Sequence, residues 1–180
     1  MKGLVISTFL YILTSCALEH PDNSTSTSGA SAQQSLSKEQ FYPIRHVVDG
    51  DTFWIEDGSP TGQKIRFIGI DAPENRNAFK KKKEYYGEES KAYLMELLEG
   101  KKVRLELDVD PLDPFGRTLA YVYLENGEMV NELIVRTGNG ILMTIAPNIK
   151  YEERFYKAQQ YAREHRLGLW AKEIDKDPRK

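Results

Sequence analysis

Apolar positions along this chain alternate in short runs through its first half and recur at helical spacing later. Ile44 to Val48 reads as a strand, Asp49-Gly50 as a turn, Thr52 to Glu56 as a second strand and Asp57-Gly58 as another turn. Ile65 to Ile70 is a third strand, made of residues that suit a pleated, half-buried surface, and the three together predict a meander. The stretch GEESKAYLMELLEG then predicts a helix. Leu94, Leu97 and Leu98 form its apolar stripe, acids fill its first turn and Gly100 stops it. Lys102 to Leu107 alternates, with Val103, Leu105 and Leu107 on one face and Arg104 and Glu106 on the other, as a half-buried strand does. Thr118 to Leu124 is a fifth strand, closed by Asn126-Gly127, and Met129 to Thr137 suits a short helix ended by Gly138. The last element, Tyr151 to His165, sets Tyr151, Phe155, Ala158 and Ala162 at helical spacing and is expected to pack onto the sheet. The layout is α+β, mainly β. It suits a five-stranded OB-type barrel with three helices, although pattern alone leaves that as one option among several α+β folds.

The flanks read differently. MKGLVISTFLYILTSC carries one basic residue, Lys2, and an apolar run from Leu4 to Leu13 that is too short to span a bilayer as a mature helix and right for a signal-peptide core. Leu13-Thr14-Ser15-Cys16 resembles a bacterial lipobox, in which the cysteine is lipidated and becomes the first mature residue. A plain secretory signal and a helix buried in the fold are the alternatives. Residues 17–40 are dominated by Ser, Thr, Ala and Gln, with too little apolar side chain to offset ordering entropy, and read as a flexible tether. Coil scaling gives it an r.m.s. span of about 25 to 30 Å. The expected organisation is a signal peptide with lipobox (1–16), the tether (17–40), one folded domain (41–171) and a polar tail (172–180). Export to the cell envelope, anchored through Cys16 or else secreted, follows from the leader.

Composition narrows the chemistry only slightly. With 180 residues, 40% hydrophobic and 29% charged, the chain has room for one ordinary domain plus extras. A formal net charge of -2 means that any anion-binding surface comes from local clustering. Cys16 is the single cysteine, which excludes an internal disulfide framework and a cysteine-cluster metal site.

The candidate chemistry starts from Arg66, which interrupts the apolar third strand. On a period of two it shares a face with Ile68 and Ile70, and a guanidinium there is expensive without anionic partners. Asp71 and Glu74 follow closely. Asp51 opens one strand and Asp71 closes another, so if those strands are neighbours their carboxylates meet at one end of the sheet. Two carboxylates, a backbone carbonyl and waters suit a hard divalent cation, with calcium the tolerant choice. Arginines beside such a cation suit a phosphate, whose oxygens match the guanidinium fork.

VVDGDTFWI, IRFIGIDAPE, YYGEESKAYL, DPFGRTLAYVY, GEMVNELIVRTG and the late LGLW, in this order and spacing, resemble the staphylococcal (micrococcal) nuclease family over roughly Tyr42 to Trp170. The resemblance implies an OB-fold barrel with three helices and a calcium-dependent phosphodiesterase that cleaves DNA and RNA on the 5'-oxygen side. It also implies that Asp51, Asp71 and the Ala72 carbonyl bind Ca2+. Arg66 and Arg117 would clamp the phosphate, and Glu74 would act as general base or position the water. A monomer is expected. The departures lie in the nucleotide pocket. Pro114 and Phe115 stand where the type enzyme has a lysine and a tyrosine, and Met143 and Ile145 where it has two tyrosines, groups that would hydrogen-bond a terminal phosphate and stack on a base.

Blander readings stand beside these. Arg66 taken alone can tie the sheet to an acid, Glu74 after Pro73 can be a loop or helix-start acid, and Arg117 after Gly116 can cap a turn. Asp49 is read as the turn residue and only Asp51 as a ligand. Asp108, Asp110 and Asp113 fail the EF-hand pattern, because Asp113 and Leu119 occupy the positions that need Gly and Glu, and are read as a solvated acidic loop. Lys80 to Lys83 reads as a phosphate funnel or a merely solvated run, and His46, His165 and His20 receive no ligand role. The rival to an enzyme is a catalytically weak or inactive OB-fold module that binds nucleic acid or protein on the cell envelope. For the anchor, Cys16→Ser is expected to release the protein from the membrane fraction, read by blotting after fractionation; unchanged membrane association would count against lipidation.

Overall fold

The alternating runs become strands of a closed barrel in a computed structural model that describes residues 39–75 and 84–171. The leader, the tether up to residue 38, the Lys80 to Lys83 run and the tail lie outside the described residues. In chain order the elements are β1 (Phe41–Asp49), β2 (Thr52–Ile55), β3 (Gln63–Phe67), β4 (Ile70–Asp71), α1 (Gly87–Leu98), β5 (Lys102–Glu106), β6 (Thr118–Leu124), α2 (Val130–Arg136), β7 (Ile141–Leu142) and α3 (Glu152–Glu164). The barrel runs β1-β2-β3-β6-β5 and closes on itself; the β3–β6 pair is parallel and the other pairs are antiparallel. Closure leaves the barrel no free edge, which an open sheet of this size would have to protect. The α+β barrel with three helices and the β1–β2–β3 meander agree with the sequence pattern.

Inside the barrel, Phe53 and Ile55 of β2, Ile65 and Phe67 of β3, and Val103 and Leu105 of β5 are buried, on the period of two that their strands impose. Each such side chain contributes about 1.5–3 kcal/mol by leaving water. Leu94 and Leu98 anchor α1, which packs against β1.

Two expectations need correction. The third strand does not run to Ile70. It ends at Phe67, the chain turns at Ile68-Gly69, and Ile70–Asp71 forms a separate strand paired antiparallel with β7. Gly69 makes this possible. Its φ is +79°, and a Cβ there would lie 2.6 Å from Cε2 of Phe155 on α3. Arg66 therefore does not share a strand face with Ile68 and Ile70; its neighbours Ile65 and Phe67 face the core and Arg66 points away from it. The second correction concerns α3, which packs chiefly against α2 and reaches the barrel through Tyr121, whose ring lies 4.6 Å from that of Tyr151 and 6.1 Å from that of Phe155.

Asn131, in the first turn of α2, is fully buried and holds the turn after β3 in place. Its Oδ1 accepts from the Val122 N–H at 2.9 Å, and its Nδ2 donates to the carbonyls of Ile68 at 2.9 Å and Ala120 at 3.3 Å. Removing it strands buried backbone groups, each worth about 1–3 kcal/mol when unsatisfied. Asn131→Ala is expected to lower unfolding free energy by about 2–4 kcal/mol in urea titration. A loss below about 0.5 kcal/mol would mean that these backbone groups do not depend on the amide.

Candidate functional site

Strand register brings the first charged group to the second. Thr52 of β2 pairs with Arg66 of β3, so Asp51, one residue before Thr52, lies beside the arginine, and the Phe67 N–H donates to the Asp51 carbonyl at 3.1 Å. The turn at Gly69 then returns the chain so that Asp71 meets the same guanidinium. Arg66 Nη1 pairs with Asp51 Oδ2, while Nη2 donates to Asp71 Oδ1 at 2.7 Å and to the Ile70 carbonyl at 3.4 Å. Asp51 is 3% exposed, and its carboxylate also accepts from the Ala72 N–H at 3.0 Å and the Thr52 hydroxyl at 2.9 Å. Burial disfavours the charge on Arg66, but attraction to Asp51 and the bonds to Asp71 outweigh it and raise the guanidinium pKa. Asp49 stays outside the clasp. Burial, then repulsion from Asp51, pushes its carboxyl up to about 6, and its Oδ1 accepts from the Asp51 N–H at 3.2 Å, as a turn residue's does.

Arg117 arrives on a different element, the loop that leads into β6. Asp113 organises that loop: its Oδ1 accepts from the backbone N–H groups of Phe115 and Arg117, both at 2.9 Å, and its Oδ2 accepts from Arg117 Nε at 2.6 Å. The acidic loop is therefore not merely solvated. Asp108 Oδ2 accepts from the Tyr121 hydroxyl at 2.8 Å, and Asp110 bonds through its backbone to Asn148. Sequence reasoning missed Asp113 and Asn148. An acid four residues before an arginine, with a glycine between them, was the available signal for the first; nothing local marks the second.

Arg66, Asp71 and Arg117 line one cavity of about 450 Å³, together with Asp113. The two guanidinium groups thus share one hollow, although 51 positions separate them in the chain. Much of the rest of the wall is apolar, with Leu112, Pro114, Phe115, Met143 and Ile145, and Asp110 and Asn148 complete its polar part. Phe115 is 83% exposed and Ile145 64%. Glu74 lies three residues beyond Asp71 and does not line the cavity. Its segment is tied to the start of α1. The Glu84 N–H donates to the Glu74 carbonyl at 2.9 Å, the Glu74 N–H donates to Glu84 Oε2 at 3.2 Å, and a Cβ at Gly87 would lie 2.2 Å from the Glu74 carbonyl oxygen. His46 stacks on Trp54 and His165 on Tyr161, and neither lines the cavity.

The donors fit a hard cation by their chemistry. Asp51 and Asp71 already converge on one positive group, the guanidinium of Arg66, and Ala72 follows Asp71 directly in the chain. Among the described residues no cluster of three or more His, Cys, Asp or Glu side chains forms a metal site. Asp51, Asp71 and the Ala72 carbonyl would offer an oxygen-only set, of a kind suited to an ion that keeps several waters.

Burial works to raise the Asp113 carboxyl, but hydrogen bonds from the Arg117 backbone and side chain outweigh it and hold the group below its ordinary 3.8. A depressed acid contributes stability above its unfolded pKa and loses it as pH falls through the folded value. Asp113→Ala is expected to lie about 1–3 kcal/mol below the parent in unfolding free energy at neutral pH, with the gap closing below about pH 4. Chemical denaturation at several pH values measures this, and a gap that widens in acid contradicts it.

Comparison with known proteins agrees with this geometry. A family model described as staphylococcal nuclease homologue matches residues 64–172. The chain is 38% identical over 141 residues to a thermonuclease of Staphylococcus hyicus, covering 78% of this chain and 82% of that protein. It is 35% identical over 132 residues to a thermonuclease of Staphylococcus intermedius, covering 73% and 76%. It is also 33% identical over 131 residues to the SPbeta prophage-derived endonuclease YokF of Bacillus subtilis (strain 168), covering 72% of this chain and 43% of that longer protein. With the barrel, the paired aspartates and the two arginines of one cavity in place, this chain belongs to the staphylococcal nuclease family.

Proposed function

We propose that the protein is a calcium-dependent nuclease that hydrolyses phosphodiester bonds of DNA, RNA or both, exported to the cell envelope and anchored there through Cys16. One observation carries the reading: two arginines from distant elements line the same cavity as Asp71, and one of them clasps both candidate metal-binding aspartates. A phosphodiester between Arg66 and Arg117 meets two guanidinium charges, and negative charge that grows on its non-bridging oxygens is stabilised by groups already held in place. Asp113 keeps the Arg117 fork from collapsing onto solvent. Glu74 takes the proton of the attacking water or orients it. The new P–O bond forms as the bond to the 5' oxygen breaks, and the departing 5' oxygen takes a proton from solvent water to become a hydroxyl. Asp51, Asp71 and the Ala72 carbonyl would hold calcium, which would supply positive charge to the reaction.

The binding-module reading is favoured by one feature, the apolar rim. Pro114, Phe115, Met143 and Ile145 offer no hydrogen-bond donors from their side chains to a terminal phosphate, which weakens purchase on chain ends. The retained Arg66, Asp71 and Arg117 favour hydrolysis over binding alone.

Digestion of single- and double-stranded DNA and RNA, with and without calcium and with the product ends mapped, tests the reading. Activity is expected to vanish with chelator and to fall about 10²- to 10⁴-fold in Glu74→Gln, the usual worth of a positioned general base. Undiminished cleavage in both controls would exclude this mechanism.

A further inference from the structure

The segment that follows β7 forms the apolar wall of the cavity, and it is fastened at both ends to the strands and loops that carry the arginines. At one end the Met143 N–H donates to the Gly69 carbonyl at 2.9 Å, in the turn just after β3 and Arg66. At the other end is Asn148, 5% exposed although it lies in a surface loop. Its Nδ2 donates to the Asp110 carbonyl at 2.8 Å and its Oδ1 accepts from the Asp110 N–H at 2.9 Å. A primary amide that satisfies both backbone groups of one residue forms a two-point clamp, which fixes orientation as well as distance.

Asp110 begins the loop that holds Arg117. The Leu119 N–H donates to the Pro111 carbonyl at 2.9 Å, and the Asp113 N–H donates to the Arg117 carbonyl at 3.0 Å, so the loop moves as a unit from Asp110 to Arg117. Asp110 and Asn148 both line the cavity. We propose that Asn148 is a positioning residue: by clamping Asp110, it sets where Arg117 stands relative to Arg66 across the cavity. This rests on the nuclease reading and extends it to a residue that contacts no candidate catalytic group.

Loss of the clamp does not release the segment. The Tyr151 hydroxyl donates to Glu106 Oε1 at 3.0 Å, Lys150 Nζ pairs with the same carboxylate, and the Lys150 N–H donates to Asp108 Oδ2 at 3.4 Å. What the Asn148 amide alone supplies is the register between the wall and the Arg117 loop. Small misplacements of a group that acts on the transition state lower turnover steeply.

A kinetic cycle separates positioning from general weakening. Turnover of a fluorophore-quencher single-stranded oligodeoxynucleotide in calcium is measured for the full chain and for Asn148→Ala, Arg117→Ala and the double variant, at a temperature where urea curves show each to be folded. Arg117→Ala is expected to lower kcat about 10²- to 10³-fold, in the range seen when a charge-stabilising donor is removed. Asn148→Ala is expected to lower it about 10-fold, and the double variant should match Arg117→Ala within about twofold, because groups that act as a unit are not additive. If Asn148→Ala multiplies the defect equally in both backgrounds, or leaves kcat unchanged in the parent, the positioning role is wrong while the nuclease reading stands. A parent chain that turns nothing over sinks both.

Discussion

The site depends on one constraint: Arg66 is held between Asp51 and Asp71 in a place that water reaches poorly. Breaking such a cluster by removing one partner leaves an uncompensated charge, at a typical penalty of about 3–5 kcal/mol. That penalty ties the local chemistry to the barrel. Asp51 is positioned by the β2–β3 register, and Asp71 is positioned by the turn at Gly69 and the pairing of β4 with β7. A slip of one residue in either pairing would move a carboxylate to the other face and leave the guanidinium alone.

The barrel and the loops divide the work. Strand residues Ile65 and Phe67, whose side chains fill the core, make Arg66 rigid, whereas Arg117 lies outside the core and takes its rigidity from hydrogen bonds made by Asp113. The cavity between them is closed on its third side by the Met143 to Asn148 segment, which bonds to the backbone on both of the other sides. Buried amides recur in this scheme. Asn131 steadies the turn behind Arg66 and Asn148 the loop before Arg117, each through backbone groups of another segment. A fully satisfied polar group of this kind specifies one arrangement where apolar packing would tolerate several.

The cavity is polar at its charged end and apolar along the rim. Arg66, Asp71, Asp113 and Arg117 set the charge, while Phe115, Met143 and Ile145 offer area with no hydrogen-bonding side chain. Such a surface suits the face of a base without reading its edge. Binding energy would then be concentrated at the phosphate between the arginines, where it acts on the reacting bond.

Much of this was legible along the chain. The alternation of Val103, Leu105 and Leu107, the stripe of Leu94 and Leu98, and the span of β6 are local patterns, and secondary structure follows them because burial repeats with the period of the backbone. The motifs IDAPE and DPFGR likewise marked Asp71 and Arg117, which the fold brings to one cavity. What only the tertiary structure decided is pairing at a distance: the parallel joining of β3 to β6, the break at Gly69 that turns Asp71 back on Arg66, the engagement of α3 with α2, and the hold of Asp113 and Asn148 on the Arg117 loop. An acid or an amide in a polar loop has the same sequence signature whether water or a backbone group satisfies it. Which of the two does so depends on what the rest of the chain has packed alongside, and that information is not local.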